Sequence, residues 1–504
     1  MSRVNASAAA RPATFLRELS LFDSVMVVAG VMIGSGIFIV PAEMARIIGS
    51  PAGLLAAWIF AGLLTVSAAL SYGELASMLP GAGGMYIYLR EAFSPVAGFL
   101  YGWTLFSVIQ TGTIAAVAVA FARFCGVLWP AISETRYIIA PLRISSHYAV
   151  SLSTAQLIAL SIIALLTWTN SRGLRYGKFV QNVSTVAKLV ALAALIVIGF
   201  SIGWHSAAVA QNLQHFWSRN TSSSGLGLFI AICVAQSGSL FSADSWHNVT
   251  FAGAEVKHPR RNLPLALAIG SALVIALYLL ANVAYLVALP FPAIQHVAGD
   301  RVATAMMNSI FPARGAFLMA AAIMISTFGC LNSLILAGPR VFYAMAHDGL
   351  FFSAAARLNR HHVPGRSLWI QAMWAAVLVL PRTFDPATNQ YGNLYSNLLD
   401  YVISAALLFY IATVAGVIRL RKLRPDAARP FRVPAYPLVP VLYIAGATAV
   451  VICLLVFRPA TTWPGIAIVL LGIPVYAVLT RYQRRTDRIV SSNEFYSGRS
   501  STNL

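Results

Sequence analysis

Two short polar interruptions hold the residues of this chain best placed to do chemistry. Gly34-Ser35-Gly36 lies inside an apolar run that opens near Leu21, and Ser242-Ala243-Asp244-Ser245 lies inside one that opens near Leu226. Glycine destabilises a helix interior by about 1 kcal/mol relative to alanine. Two glycines around Ser35 therefore let the backbone leave helical geometry at little steric cost. The amides that open the next half-helix form a positive end suited to a carboxylate. The carbonyls of Met32 and Ile33, which close the half before it, suit an ammonium. Gly30 and Gly34 also make the GxxxG spacing of close helix contacts, so packing is the competing explanation.

The second interruption adds side-chain chemistry. A carboxylate at membrane depth is costly unless paired or hydrated, so Asp244 stands out. It could accept an amine, relay a proton or cap an unwound turn. Phe241 and Trp246 flank the break, where a ring can close over a ligand or simply pack in the core. His247 could titrate near neutrality, though buried histidines more often just hydrogen-bond. Lys188 follows Gly177 by eleven residues in a separate apolar run. At helical rise that is about 16 Å, too deep for an easy reach to lipid headgroups. Its ammonium must meet carbonyls, water or an acid, and beside the first break it could replace a bound cation.

These residues need apolar elements to hold them. Of the 504 residues, 59% are hydrophobic and only 10% are charged. A spanning helix needs about 20 predominantly apolar residues. Twelve candidates run over 22–48, 52–79, 96–128, 154–170, 179–202, 225–253, 264–289, 313–346, 367–381, 397–418, 438–457 and 464–480. The fold class is thus an all-α membrane protein. Alternating the spans from an inner N-terminus puts 25 of the 35 Lys and Arg on one side, nine on the other, and Lys188 between. That asymmetry is the positive-inside pattern, with both termini cytoplasmic, and it accounts for the +20 charge without nucleic acid. The first twenty residues lack an apolar core, so no cleavable signal peptide is expected.

Several chemistries lack their residues. The four cysteines, Cys125, Cys233, Cys330 and Cys453, fall in apolar runs without paired spacing, so neither a disulfide framework nor a metal site is expected. There is no HxxxH, no HExxH and no P-loop, and hence no sign of a cofactor, direct ATP use or enzymatic activity. A membrane-embedded enzyme would need clustered acids and histidines, and only isolated ones occur. A channel or receptor is disfavoured more weakly, because broken helices also occur in pores. Asp400 is a further acid near a span end. Glu74 and Glu91 bracket Leu79-Pro80-Gly81-Ala82-Gly83-Gly84-Met85-Tyr86, and are expected to be exposed.

Irregular backbone in a membrane survives only where protein or a cavity satisfies it. A pair of interrupted segments in corresponding halves is the sequence mark of a transporter's binding site. The breaks fall in spans one and six. The chain accordingly divides into a tail (1–20), a five-helix repeat (21–202), an extracellular loop (203–224), an inverted second repeat (225–420), two extra helices (421–480) and a tail (481–504) expected to be disordered.

Four stretches, in order, resemble the amino acid–polyamine–organocation superfamily of transporters. They are Gly30-Val31-Met32-Ile33-Gly34-Ser35-Gly36-Ile37-Phe38, the segment from Met78 to Phe93, Glu255-Val256-Lys257-His258-Pro259-Arg260-Arg261-Asn262-Leu263-Pro264, and the segment from Gly338 to Gly349. The resemblance covers about residues 20–480 and is strongest to bacterial relatives of the L-type amino acid transporters. It implies a sodium-independent exchanger or proton-coupled symporter of neutral L-amino acids in the bacterial inner membrane. It implies a carboxylate site at Ser35 and Gly36, an amine site on the carbonyls of Met32, Phe241 and Asp244, and a gate at Phe241. Ile33, Gly34, Ser242, Ala243 and Trp246 complete the expected site, and Lys188 matches a lysine thought to replace sodium. Two departures matter. Asp244 stands where the family commonly has small residues, which opens a cationic amino acid or polyamine as the alternative substrate. The loop 129–153 lacks the cysteine that tethers animal members to a heavy subunit, so no such partner is expected.

Overall fold

The computed structural model describes residues 17–499, apart from 146–147, 218–224, 313, 386–389 and 392–393. The first apolar run forms two helices, α1 (Leu21–Met32) and α2 (Gly36–Ile48), bent by 42° at the break. α3 (Pro51–Met78), a short α4 (Met85–Ala92) and α5 (Pro95–Leu128) follow, then α6 (Thr154–Ser171) and α7 (Leu174–Ser201). The second half runs α8 (Gly225–Ser242), α9 (Pro259–Ala288), α10 (Gly315–Ala337), α11 (Pro339–His347) and α12 (Gly365–Val379). It closes with α13 (Leu394–Leu423), α14 (Leu438–Phe457) and α15 (Pro459–Arg499).

Local chemistry sets several boundaries. Ser20 opens α1 with a reciprocal capping box: its hydroxyl accepts from the Asp23 amide at 3.2 Å, and Asp23 accepts the Ser20 amide at 2.9 Å. Ser50-Pro51 and Ser94-Pro95 start α3 and α5 alike, a serine cap followed by a proline whose missing N–H costs nothing there. Gly49, in the left-handed conformation, ends α2.

Among the described residues ten helices are long and apolar enough to cross a membrane, or eleven with the bent pair α1–α2 taken as one span. α12 has 15 residues, shorter than the about 20 that span a bilayer. It stops before Pro381 because the chain turns there into a strand, which the apolar pattern did not predict. β1 (Tyr137–Arg143), β2 (Tyr148–Ser153), β3 (Pro381–Asp385) and β4 (Gln390–Tyr391) form an antiparallel sheet in that order, joining the loop after α5 to the loop after α12. The loop before α8 contains a short helix, Ser206–Gln214. The last helix continues to Arg499, where a disordered tail was expected; no glycine or proline interrupts Val475–Tyr496. The side chain of Asp400 lies outside the described residues.

Inside the bundle α1 packs on α7, α9 and α10, while α2 packs on α8. The end that carries the basic linkers is tied shut by ion pairs. Arg340 on α11 donates to both oxygens of Glu255 at 2.9 and 3.3 Å, and both side chains are almost fully buried. The Glu255 carbonyl also accepts the amides of Glu18 and Leu19, so the strand before α1 is strapped to the same turn. Glu74 is completely buried rather than exposed, taking two bonds from Arg421 at 2.8 and 2.6 Å and one from the Val433 amide at 2.8 Å. Glu91 bonds Arg424 at 2.6 Å and then Arg90, and these cations hold its carboxyl below the usual carboxylate range.

Removing one member of a buried pair leaves an uncompensated charge, at a cost of about 3–5 kcal/mol. Arg340→Met is therefore expected to lower the thermal midpoint sharply in detergent. The double variant Arg340→Met/Glu255→Gln is expected to recover most of the loss, as a double-mutant melting cycle will show.

Candidate functional site

At the first break side chains of other helices fill the backbone acceptors, while no side chain caps the helix that follows. Five consecutive carbonyls, Gly30 to Gly34, each take a hydrogen bond from another helix. Lys188 Nζ donates to Gly30 O at 2.7 Å and Ile33 O at 2.9 Å. Cys330 Sγ lies 3.0 Å from Val31 O, and Tyr278 Oη donates to Met32 O at 2.8 Å. Ser326 Oγ reaches Ile33 O at 3.1 Å and Gly34 O at 3.3 Å. The ammonium expected to face Ile33 is thus the protein's own. On the other side, α2 starts at Gly36 with no side-chain hydrogen bond from Ser35 capping it. The Phe38 amide turns back to Ser35 O at 3.1 Å, and a helix start without a side-chain cap is the geometry of an anion site.

The second break is the turn that follows α8. The Ala243 amide still reaches Ser239 O at 3.0 Å, and Asp244 N closes a tighter bond to Phe241 O at 3.1 Å. Ser245 then takes a left-handed φ of 66°, and the chain resumes as a 3₁₀ turn, Trp246–Thr250, where an α-helical half was expected. Such conformations cost free energy in a non-glycine residue and persist where surroundings over-determine them. Here Gly84, itself at φ 45°, lies so close that a Cβ would stand 2.3 Å from Thr250 Oγ1. The Gly83 amide also donates to Phe251 O at 3.1 Å. The glycine-rich segment before α4 is therefore a plug seated under the second break.

The two breaks touch. A Cβ on Gly36 would meet Ser242 Oγ at 2.3 Å and Ser242 Cα at 2.9 Å. Tyr278 on α9 bridges them, donating to Met32 O and contacting Ser242 O at 3.0 Å. Ser35, Gly36, Phe241, Ser242 and Ala243 are all buried, so the conformation described is closed over both breaks. By contrast Gly30 fits a packing role, since a Cβ there would strike Gln181 and Thr185 on α7.

Asp244 points to α13, where Tyr410 Oη donates to Oδ1 at 2.6 Å. Trp246 and His247 belong to an aromatic cluster with Tyr72 and Tyr410: Trp246 meets Tyr72 edge-on at 4.8 Å, and His247 meets Tyr410 at 5.0 Å. His247 Nδ1 is buried with no hydrogen-bond partner among the described residues. The structure thus brings Met32, Ile33, Gly34, Ser35, Gly36, Phe241, Ser242, Ala243 and Lys188 together around the breaks, and sets Trp246 and His247 in the packing beside Asp244.

Sequence reading missed Tyr278, Tyr410, Ser326 and Cys330. A signal existed for the α10 residues: Ser326, Cys330 and Ser333 recur at helical spacing as a polar stripe in an apolar helix. Gln181, Thr185 and Lys188 repeat that spacing on α7, and Gln181 and Thr185 both donate to Met26 O. Two polar stripes therefore face α1.

A cavity of about 1060 Å³ lies elsewhere, between α5, α12, α13 and α15. It is lined mainly by apolar side chains such as Phe106, Met373, Trp374 and Leu471, and by no residue of either break.

Losing the Tyr278 hydroxyl removes the single proton shared between two buried carbonyls, Met32 O and Ser242 O, a hydrogen bond worth about 0.5–1.5 kcal/mol. Tyr278→Phe is expected to lower the melting midpoint and to weaken ligand stabilisation, measured by thermal shift with and without amino acid.

Comparison with known proteins places these features in a family. The profile described as "Amino acid permease" matches residues 19–478. The serine/threonine exchanger SteT of Bacillus subtilis is 29% identical over 91% of this chain and 96% of its own length. The large neutral amino acids transporter small subunit 2 of Oryctolagus cuniculus is 30% identical, over 93% and 81%. The b(0,+)-type amino acid transporter 1 of Mus musculus is 27% identical, over 88% and 84%. With both helix breaks, their plug and the buried Arg340–Glu255 tie inside the matched region, the chain belongs to the amino acid permease family of the amino acid–polyamine–organocation superfamily.

Proposed function

We propose that this chain is a sodium-independent secondary transporter of amino acids, working by alternating access as an exchanger or proton-linked symporter. The observation that carries the reading is the asymmetry at the first break. Every carbonyl from Gly30 to Gly34 already holds a protein donor, while α2 opens at Gly36 with no side-chain hydrogen bond from Ser35 capping it. A substrate carboxylate is the anion we assign to this uncapped helix start, at Ser35 and Gly36. Its amine then uses the Phe241 and Asp244 carbonyls, and Met32 O on release of one of its two present donors, Gly34 N and Tyr278 Oη, with Phe241 as the gate.

Lys188 supports sodium independence, because its ammonium occupies the carbonyl cluster that a small cation would otherwise neutralise. The architecture we propose has twelve spans, two inverted five-helix repeats (21–202 and 225–420), two further helices and cytoplasmic termini in a bacterial inner membrane. Relatives named for neutral amino acids favour a neutral substrate. One observation favours a cationic side chain instead: the Asp244 carboxylate, held by Tyr410 beside the second break.

Uptake by purified protein in liposomes tests this reading. Replacing sodium by choline is expected to leave the rate unchanged, whereas internal counter-substrate or an inward proton gradient is expected to raise it. Lys188→Ala is expected to abolish uptake. Strict sodium dependence of the unaltered chain contradicts the proposal.

A further inference from the structure

Another cavity, with two arginines in its walls, opens at the end of the bundle that carries the basic linkers. Its volume is about 390 Å³, and its walls include Trp168, Arg172, Val180, Asn332, Arg360 and His361. No carboxylate lines it among the described residues, and neither arginine has an acidic partner there. Two guanidinium groups facing one cavity without a counter-charge repel each other, and a polyvalent anion reverses the sign of that interaction.

The arrangement is built. Asn359 Nδ2 donates to Ser171 O at 2.8 Å, pinning the α11–α12 linker to the end of α6. Its Oδ1 accepts the amides of His361 and Val363 at 2.9 and 3.2 Å, which fixes the turn that presents Arg360 and His361. Arg360 Nε contacts His361 Nε2 at 3.2 Å. Arg172 lies over the Trp168 ring at 4.3 Å, so its guanidinium is oriented while its edge keeps its donors. Asn332, bonded to Asn170 at 2.8 Å, brings α10 to the back wall.

We infer that this cavity is a phosphate site, and that the phosphate belongs to an anionic phospholipid. The geometry supplies the acyl side as well. Trp168 is about half exposed, Phe179 is 70% exposed and Val183 53%, so an apolar strip on α6 and α7 leads from the cavity along the lipid-facing surface. A free phosphate would use the arginines and leave that strip unoccupied. A headgroup uses both, the arginines forking onto its oxygens and the chains lying on Phe179 and Val183. The site also ties α6, α10 and the α11–α12 linker, so a bound lipid adds to the stability of that end of the bundle.

The test is thermal unfolding of the full chain in a neutral detergent, titrated with phosphatidylglycerol, phosphatidylcholine of the same acyl chains, or inorganic phosphate. Phosphatidylglycerol is expected to raise the midpoint and phosphatidylcholine is not. Arg172→Gln/Arg360→Gln is expected to need at least about tenfold more phosphatidylglycerol for the same rise, two charge-assisted bonds being lost. Arg357→Gln, in the same linker but outside the cavity, is expected to respond as the unaltered chain does, and Arg172→Lys/Arg360→Lys to keep much of the response. Equal rises with the two lipids, or an unchanged response in the Gln double variant, overturn the site. A rise with inorganic phosphate as large as with phosphatidylglycerol overturns the lipid as its source.

Discussion

Unwound backbone in an apolar bundle is the constraint on which this structure depends. A buried carbonyl or amide without a partner is costly, and no water is at hand to supply one. Interrupting two helices at mid-bundle therefore obliges the neighbouring helices to provide donors. Lys188 from α7, Tyr278 from α9, and Ser326 with Cys330 from α10 do this for α1. Each is a polar residue that an uninterrupted bundle of this composition would not need. The packing of α1 on α7, α9 and α10 and the break between α1 and α2 are parts of one solution.

That solution leaves an imbalance with a functional meaning. Each carbonyl from Gly30 to Gly34 holds a side-chain donor, whereas no side chain caps the start of α2. Closing the second break against Gly36, with Tyr278 joining the two, makes any movement of α1–α2 felt by α8. The glycine-rich plug and the Arg340–Glu255 tie close one end of the path. Opening that end requires breaking a buried ion pair and a strap of backbone bonds, which suits a gate that should not open unprompted.

How much of this the sequence showed depends on the kind of signal. Hydropathy located the ten long apolar helices and the bent pair α1–α2, with Ser-Pro or Gly at several ends, while the run at 367–381 forms only the 15-residue α12. Both breaks were legible because Gly34-Ser35-Gly36 and Asp244 violate an otherwise apolar pattern. The depth of Lys188 followed from helical rise alone. Partners were not legible: nothing local says that Tyr278 reaches Met32, or that Tyr410 reaches Asp244. Glu74 looked exposed because its guanidinium partner, Arg421, lies 347 residues away in the chain. The sheet joining two loops was missed because β1 and β2 are short and β3 begins at a proline, a weak strand signal.

The central claim is that the two breaks jointly hold one zwitterion. A cryo-electron microscopy map of the full chain saturated with a transported amino acid tests it most directly. The account predicts density whose carboxylate meets the amides of Ser35 and Gly36 and whose amine meets the carbonyls of Met32 and Phe241. Bound substrate located elsewhere, with Gly36 still packed against Ser242, would contradict it.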